Sequence, residues 1–198
     1  MSFIFRFSIF SHPLFFLPIL FLSGCTTETE VDSRFSPMAP AVLSISEPGT
    51  RIPAQARFAW LPVSPEFHVD PRLKNVNIEQ MVEKAIRRSL SRRNYVMQDE
   101  AAGADYLLAY VAALENELDD NAILQRFGIV PGIMASSADN QKMEKGTLII
   151  YVIDARTGKQ IWRSALQTLV TLEMDDAARQ LRINAAVESM FATLPGSR

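Results

Sequence analysis

Two apolar, β-branched stretches joined by a short polar turn constrain the fold of this chain more than any other feature. Gly146–Asp154 and Gln160–Thr171 both have the composition of strands. Between them, Gly158 supplies a positive φ, and the carboxylate of Asp154 is placed to accept backbone hydrogen bonds. We therefore predict a β-hairpin, in which turn chemistry explains Arg156-Thr-Gly-Lys159 better than a functional site does.

Two amphipathic segments predict helices. The first begins at Asn77 and Gln80, which form a capping box, and its apolar stripe consists of Ile78, Met81, Val82, Ala85, Ile86 and Leu90. The second is capped by Asp175 or Asp176, and its stripe consists of Ile183, Ala186, Val187, Met190 and Leu194. Four arginines follow the first stripe, at Arg87, Arg88, Arg92 and Arg93. They are candidates for binding an anionic lipid headgroup, but a solvated helix end is the simpler interpretation.

Three further stretches have the character of strands. Arg57–Pro62 and Tyr95–Met97 are short, whereas Asp105–Leu114 is apolar on both faces and is expected near the centre of a sheet. Together with the hairpin and the two helices, they indicate an α+β fold. We expect a mainly antiparallel sheet of four to five strands with two helices packed on one face.

Residues 119–143 interrupt this pattern. Turn-forming residues such as Asp119, Gly128 and Pro131 alternate there with apolar ones. A long loop without its own secondary structure is usually functional or mobile. One interpretation makes this segment a contact for a partner or a second copy, and another folds it over one end of the sheet.

The N-terminus has the features of an export signal. Arg6 precedes the apolar run Leu14–Leu22, and the small residues Ser23 and Gly24 follow. The rival interpretation is a membrane-spanning helix, but Arg6, His12, Pro13 and Pro18 interrupt it. We therefore expect residues 1–24 to be a signal peptide.

The sequence Leu22-Ser23-Gly24-Cys25 resembles a bacterial lipobox. The resemblance implies that Cys25 becomes the first mature residue and carries fatty acyl chains such as palmitate, which anchor it to a membrane. Thr26, where an aspartate would favour the inner membrane, favours the periplasmic face of the outer membrane. Residues 25–53 lack periodicity and are expected to form a flexible tether, with Val42, Leu43 and Ile45 as a candidate partner-binding patch. The folded domain is expected over residues 54–198.

Few residues indicate chemistry. Past the signal, His68 is the single histidine, no Gly-x-Ser-x-Gly motif accompanies it, and Cys25 is the single cysteine, so a catalytic triad or a zinc site is not indicated. The acidic run Glu115, Glu117, Asp119 and Asp120 lacks the spacing of a calcium loop. A formal net charge of −2 argues against nucleic acid as a partner. We expect no catalytic residue, metal or cofactor, and hence no enzyme.

Three blocks resemble a family of bacterial lipoproteins of unknown function, the DUF4136 type. They are Phe58-Ala-Trp60-Leu-Pro62, Ala104-Asp105-Tyr-Leu-Leu, and the block from Gly146 to Arg163 with its Thr-Gly-Lys and Trp-Arg pieces. The resemblance runs over most of residues 54–195. Family members usually have glycine where this chain has Ser164. The resemblance implies an envelope location and an α+β fold, and it supplies no catalytic residues.

Three functions follow as hypotheses. The first is a non-enzymatic accessory or assembly lipoprotein of the outer membrane, which binds an envelope partner or itself through the 119–143 segment and the free edges of the sheet. The alternative is a small-ligand or lipid-binding periplasmic module, in which helix arginines and apolar residues line a groove. The third is an envelope hydrolase, for which His68, Glu115 and Glu117 are the best candidates.

Overall fold

Three helices and seven strands make up the described part of the chain. The computed structural model describes residues 40–62, 66–67, 77–114, 118–132 and 143–196, which belong to one compact unit, Pro37–Arg198. The strands are β1 (Ala41–Ser46), β2 (Arg57–Trp60), β3 (Glu66–Phe67), β4 (Val96–Met97), β5 (Tyr106–Leu114), β6 (Met143–Asp154) and β7 (Gln160–Thr171). The helices are α1 (Ile78–Arg92), α2 (Asp120–Phe127) and α3 (Asp176–Phe191).

The strands form one mixed sheet in the order β1-β7-β6-β5-β2-β4, with β3 also paired to β5. The predicted hairpin is confirmed as β6 and β7, which pair Leu148 with Leu166 and contain an irregularity between Val152 and Ile153. The pairs β1–β7, β7–β6 and β6–β5 are antiparallel, whereas β2, β3 and β4 add in parallel. The expected α+β class is correct, but the expected four to five mainly antiparallel strands are too few.

Helices α1 and α3 pack on one face of the sheet, as expected. Their predicted caps are present, because Asn77 accepts from the Gln80 amide at 3.1 Å and Asp175 accepts from the Ala178 amide at 2.9 Å. The Gln180 side chain donates to the Met81 carbonyl at 3.1 Å, and Ser89 donates to Glu188 at 2.9 Å. These contacts require that the two helices run parallel, so their N-termini lie at the same end of the sheet.

The predicted loop 119–143 is wrong over its first part, where α2 covers the other face of the sheet. Asp119 caps α2 by accepting from the Ala122 amide at 2.8 Å, and Ile123 and Ile129 are buried against the sheet. Lys145 is only 5% exposed, and its ammonium group donates to Asp120 at 2.7 Å, which fixes the start of α2. The sequence does not predict this helix, because a short helix is stabilised mainly by its packing against the sheet and not by its own residues. Residues 133–142 lie outside the described part.

The C-terminal part of the predicted tether is also wrong, because residues 41–53 belong to the folded domain. Strand β1 pairs with β7, and Ile52 is fully buried. Ser44 donates to the buried Ser164 at 2.7 Å and accepts from Thr193 at 2.8 Å, which ties β1 to the sheet and to the residues after α3. The first part of the tether and the signal at 1–24 lie outside the described residues.

Candidate functional site

A cavity of about 360 Å³ lies between the sheet and the N-terminal halves of α1 and α3. Its volume is in the range of small-molecule sites. The walls are mainly aliphatic, and they include Ile78, Val82, Ile183 and Ala186 from the helices and Ala112, Leu114, Leu148 and Leu166 from the strands. This end of the core can therefore accept an apolar chain.

Small residues leave the space open. Tyr110 fills the middle of β5, but Ala112 and Ala113 follow it towards the cavity. On the neighbouring strand, Gly146 also lines the cavity, but Val170 Cγ1 lies only 3.0 Å from the position of a Cβ there, so this glycine reflects close packing against Val170 and not open space. Because the large rings end before this point, the helices and the sheet enclose volume that no side chain fills.

Two arginines of α3, Arg179 and Arg182, line the same cavity. Arg179 is only 8% exposed, and its Nη2 donates to the carbonyls of Leu172 at 3.0 Å and Met174 at 2.9 Å. Its Nε is buried without a hydrogen-bond partner. Nη2 of Arg182 donates to the Leu169 carbonyl at 2.9 Å. Within the described ranges, no carboxylate forms an ion pair with either arginine.

The sequence contained a signal for Arg179 that pattern reasoning passed over. Arg179 lies four residues before Ile183, so it continues the buried stripe of α3 towards its N-terminus. The apolar residues of the stripe begin at Ile183. Arg179 occupies the preceding position of the same stripe, but a charged side chain is ordinarily expected to face solvent. Arg182 lies beside that stripe and gives no comparable signal.

The four arginines near the end of α1 do not line the cavity. Arg87 donates to Asp99 at 3.1 Å, and its guanidinium lies 5.9 Å from the Trp60 ring centre. Arg93 lies 2.9 Å from Glu188 on α3. Although burial opposes the charge, hydrogen bonds from Ser89 and Arg93 hold the pKa of Glu188 below its ordinary value. Arg87, Arg92 and Arg93 therefore join α1 to its neighbours. Arg88 is exposed, so the group fits the simpler interpretation of a solvated helix end.

The other candidate residues fall into two groups. Cys25, His68, Glu115 and Glu117 lie outside the described residues. Asp119 caps α2, Asp120 pairs with Lys145, and Asp154 accepts from the Thr157 amide at 2.7 Å, which confirms turn chemistry. No cluster of three or more metal-ligating side chains occurs among the residues that the structure describes.

A second surface lies along β1, at the edge of the sheet. Its residues alternate, so that Val42 and Ser44 face the helices while Leu43 and Ile45 face the opposite side. Leu43 and Ile45 are each 42% exposed. In the described part of the chain, β1 pairs on one side alone, with β7. The strand thus presents an open backbone edge beside two exposed apolar side chains.

None of the described helices has the length and hydrophobicity needed to cross a membrane. Among solved structures, a PelC dodecamer from Paraburkholderia phytofirmans matches with a TM-score of 0.49 and 9% identity, over 80% of this chain and 99% of that chain. A DUF4136 protein from Bacteroides thetaiotaomicron matches with a TM-score of 0.44 and 14% identity, over 79% and 96%. Lipoprotein GNA1162 from Neisseria meningitidis matches with a TM-score of 0.39 and 13% identity, over 69% and 98%.

No curated protein matches the chain significantly. The family model for DUF4136, a domain of unknown function, matches residues 47–196, which include every described strand and helix except β1. The match covers most of the chain and extends the resemblance seen in the sequence blocks to both helices of the cavity. The chain therefore belongs to the DUF4136 family.

Proposed function

We propose that this protein is a lipid-anchored, non-enzymatic binding protein of the cell envelope, whose domain holds an apolar ligand or lipid in the cavity. The observation that carries the proposal is the unfilled aliphatic volume between α1, α3 and the sheet. The anchor is Cys25, acylated after removal of residues 1–24, and Thr26 favours the periplasmic face of the outer membrane.

The chemistry of the lining supports binding and not catalysis. Within the described ranges, the side chains around the cavity are aliphatic, with threonine hydroxyls and the two arginines as polar groups. None of these lining residues is a carboxylate, histidine or cysteine, which are the usual general bases and activated nucleophiles. Burial of an apolar ligand provides about 25 cal/mol per Å² of surface removed from water, so such a lining favours retention of a chain-like molecule.

The binding proposal is tested with the mature chain, residues 25–198, carrying Cys25→Ala and prepared without detergent. Titration with 1-N-phenylnaphthylamine, a neutral apolar dye, is expected to give saturable binding. Ala186→Phe places a ring in the cavity and is expected to abolish this binding, whereas Leu181→Phe on the same helix is the control, because Leu181 is 69% exposed. Absence of saturable binding, or equal binding by the two variants, would contradict the proposal.

The anchor is tested separately in cells. Metabolic labelling with an alkyne analogue of palmitate is expected to mark the wild-type protein and to leave Cys25→Ala unlabelled. Fractionation is expected to place the wild type with outer membranes and the variant in the periplasm. An unmodified Cys25 in mass spectra of the native protein would overturn the anchor without affecting the cavity.

A second function, association through β1, is favoured by the open edge and by Leu43 and Ile45. A strand from an envelope protein or a second copy adds to such an edge through backbone hydrogen bonds. Crosslinking in membranes is expected to trap a complex in the wild type, and Leu43→Lys/Ile45→Lys is expected to abolish it. Leu124→Lys is the control, since Leu124 is also exposed but lies on α2. An unchanged crosslinking pattern in the double variant would reject this surface.

A further inference from the structure

We infer that the ligand of the cavity is a single-chain amphiphile with an anionic headgroup, a carboxylate or a phosphate, which Arg179 and Arg182 bind while the aliphatic walls hold the chain. The inference rests on the proposed binding function and names its ligand class. It is carried by the juxtaposition of a buried, incompletely bonded guanidinium with a volume that is otherwise apolar.

Arg179 is a buried cation with one hydrogen-bond donor left unsatisfied. The guanidinium of Arg179 is a cation in a nearly buried position, since the residue is only 8% exposed. Its Nη2 is satisfied by two carbonyls, but its Nε is buried with no acceptor. A buried unsatisfied donor on a charged group is costly, and such groups in native proteins usually have a partner. An anion in the cavity would supply that partner.

A second arginine, Arg182, lies close to Arg179 at the same cavity. Arg182 lies one turn further along α3 and lines the same cavity, so two guanidinium groups border one volume. Both are held by backbone carbonyls, at Leu172, Met174 and Leu169, and this anchoring reduces the entropy lost when a ligand binds. Charge-assisted hydrogen bonds from arginine to a carboxylate or phosphate are stronger than hydrogen bonds between neutral groups.

The helix ends around the cavity contribute further charge. Because α1 and α3 run parallel, the positive ends of both helix dipoles lie at the cavity end. Carboxylates offset part of this positive charge, because Glu79 and Asp176 lie in the first turns of α1 and α3 and Asp175 caps α3 through the Ala178 amide. Among the residues described, however, no carboxylate forms an ion pair with Arg179 or Arg182, so the two guanidinium groups are the cations available to an anion in the cavity.

The test compares amphiphiles that share one chain and differ in headgroup. Dodecanoate, dodecyl phosphate, dodecanol and dodecyltrimethylammonium are titrated against 1-N-phenylnaphthylamine bound to the mature Cys25→Ala chain at alkaline pH. The ionic amphiphiles are kept below their critical micelle concentrations, and dodecanol is kept below its solubility limit. We expect the two anions to displace the dye at concentrations about tenfold lower than dodecanol, and the cation to be the weakest. The ratio between dodecanoate and dodecyl phosphate distinguishes the two headgroups.

Variants assign the preference to the arginines. Arg182→Gln is expected to reduce the anion preference over dodecanol several-fold and Arg179→Gln to remove it, with dodecanol itself unchanged. Arg88→Gln removes one exposed positive charge from α1 and is expected to leave every ratio unchanged. Circular dichroism checks folding, and if Arg179→Gln does not fold, Arg182→Gln and Arg182→Lys decide the question. Arg182→Lys is expected to keep part of the preference.

The outcomes separate the two proposals. If no amphiphile displaces the dye, or the dye itself does not bind, the proposed binding function fails and this inference with it. If dodecanol binds as tightly as dodecanoate in the wild type, or if Arg182→Gln and Arg88→Gln behave alike, the binding function stands. In that case the headgroup site is wrong, and Arg179 serves only to close the connection between β7 and α3.

Discussion

The two ends of the layer between the sheet and helices α1 and α3 are built from different residues. At the C-terminal ends of the helices, large rings fill the space, and Trp162 lies 5.6 Å from Phe191 while Phe58 lies 5.3 Å from Tyr95 between ring centres. At the N-terminal ends, alanines, Gly146 and two arginines enclose a cavity of about 360 Å³. One sheet and one helix pair therefore carry a packed end and a hollow end.

The difference separates stability from binding along a single pair of helices. The packed end gains from ring contacts, from full burial, and from the indole of Trp162, which donates to Thr193 at 3.3 Å. The hollow end gives up packing energy, since unfilled volume costs stability roughly in proportion to its size. The proposed binding function accounts for such a defect. Truncation at the packed end is therefore expected to lower stability more than truncation at the hollow end, and filling the hollow end is expected to raise it.

The largest effect is expected for Trp162→Ala at the packed end. Trp162 is 1% exposed, and its removal leaves a cavity under Phe191. We expect a loss of about 3–5 kcal/mol in the free energy of unfolding, measured by urea denaturation. Dye binding by the protein that remains folded is expected to persist, because Trp162 is not part of the cavity lining. A loss below 1 kcal/mol would contradict the claim that this end is tightly packed around Trp162.

A matched pair of leucines compares the two ends directly. Leu108 is fully buried at the packed end, whereas Leu148 borders the cavity. We expect Leu108→Ala to cost about 4 kcal/mol and Leu148→Ala about 2 kcal/mol, because Leu148 already lacks neighbours on the side facing the cavity. Urea denaturation of otherwise identical proteins measures both losses. Equal losses would mean that the volume beside Leu148 closes in solution.

Much of this arrangement was predictable where the signal is local. The hairpin β6–β7 and the caps at Asn77 and Asp175 follow from periodicity, turn residues and capping. Parallel pairing of β2 with β5 was not predictable, because an isolated strand pattern carries no information on direction. Strand β1 was missed for a related reason, since its partner β7 lies more than a hundred residues away in sequence.

The candidate site was less predictable than the fold. A cavity is a property of what neighbouring elements leave unfilled, and no single segment encodes it. The sequence offered the four arginines near the end of α1 as candidates for an anionic group, but there Arg87 and Arg93 have carboxylate partners in Asp99 and Glu188. The arginines at the cavity have no such partner among the described residues, and only tertiary structure distinguishes the two sets.

Filling the hollow end is expected to raise stability. Ala186→Phe places apolar surface in the cavity and is expected to add about 1 kcal/mol to the free energy of unfolding, while it abolishes dye binding. The comparison is Leu181→Phe on the exposed face of α3, which is expected to change stability by less than about 0.5 kcal/mol. Destabilisation by Ala186→Phe would show that the helices cannot accommodate the ring, and the cavity would then be narrower than its volume suggests.

The smallest effect concerns the ion pair that joins α1 to α3 at the packed end. The pKa of Glu188 is lower in the folded protein than its reference value of 4.5, so its charged form stabilises the fold above that value and the stabilisation is lost as the pH falls through the folded pKa. Glu188→Gln is expected to cost about 0.5–1 kcal/mol near neutral pH, since the side chain is 40% exposed, and the difference from wild type is expected to vanish in acid.

Urea denaturation at several pH values measures this difference, with Glu100→Gln as an exposed control. The hollow end serves as an internal reference for the same experiment, because Glu188 does not line the cavity. Anion binding there is therefore expected to be the same in wild type and Glu188→Gln wherever both are folded. If Glu188→Gln instead weakens dodecanoate binding at neutral pH, the two ends are coupled through the parallel helices, and packing and binding are not separable in this domain.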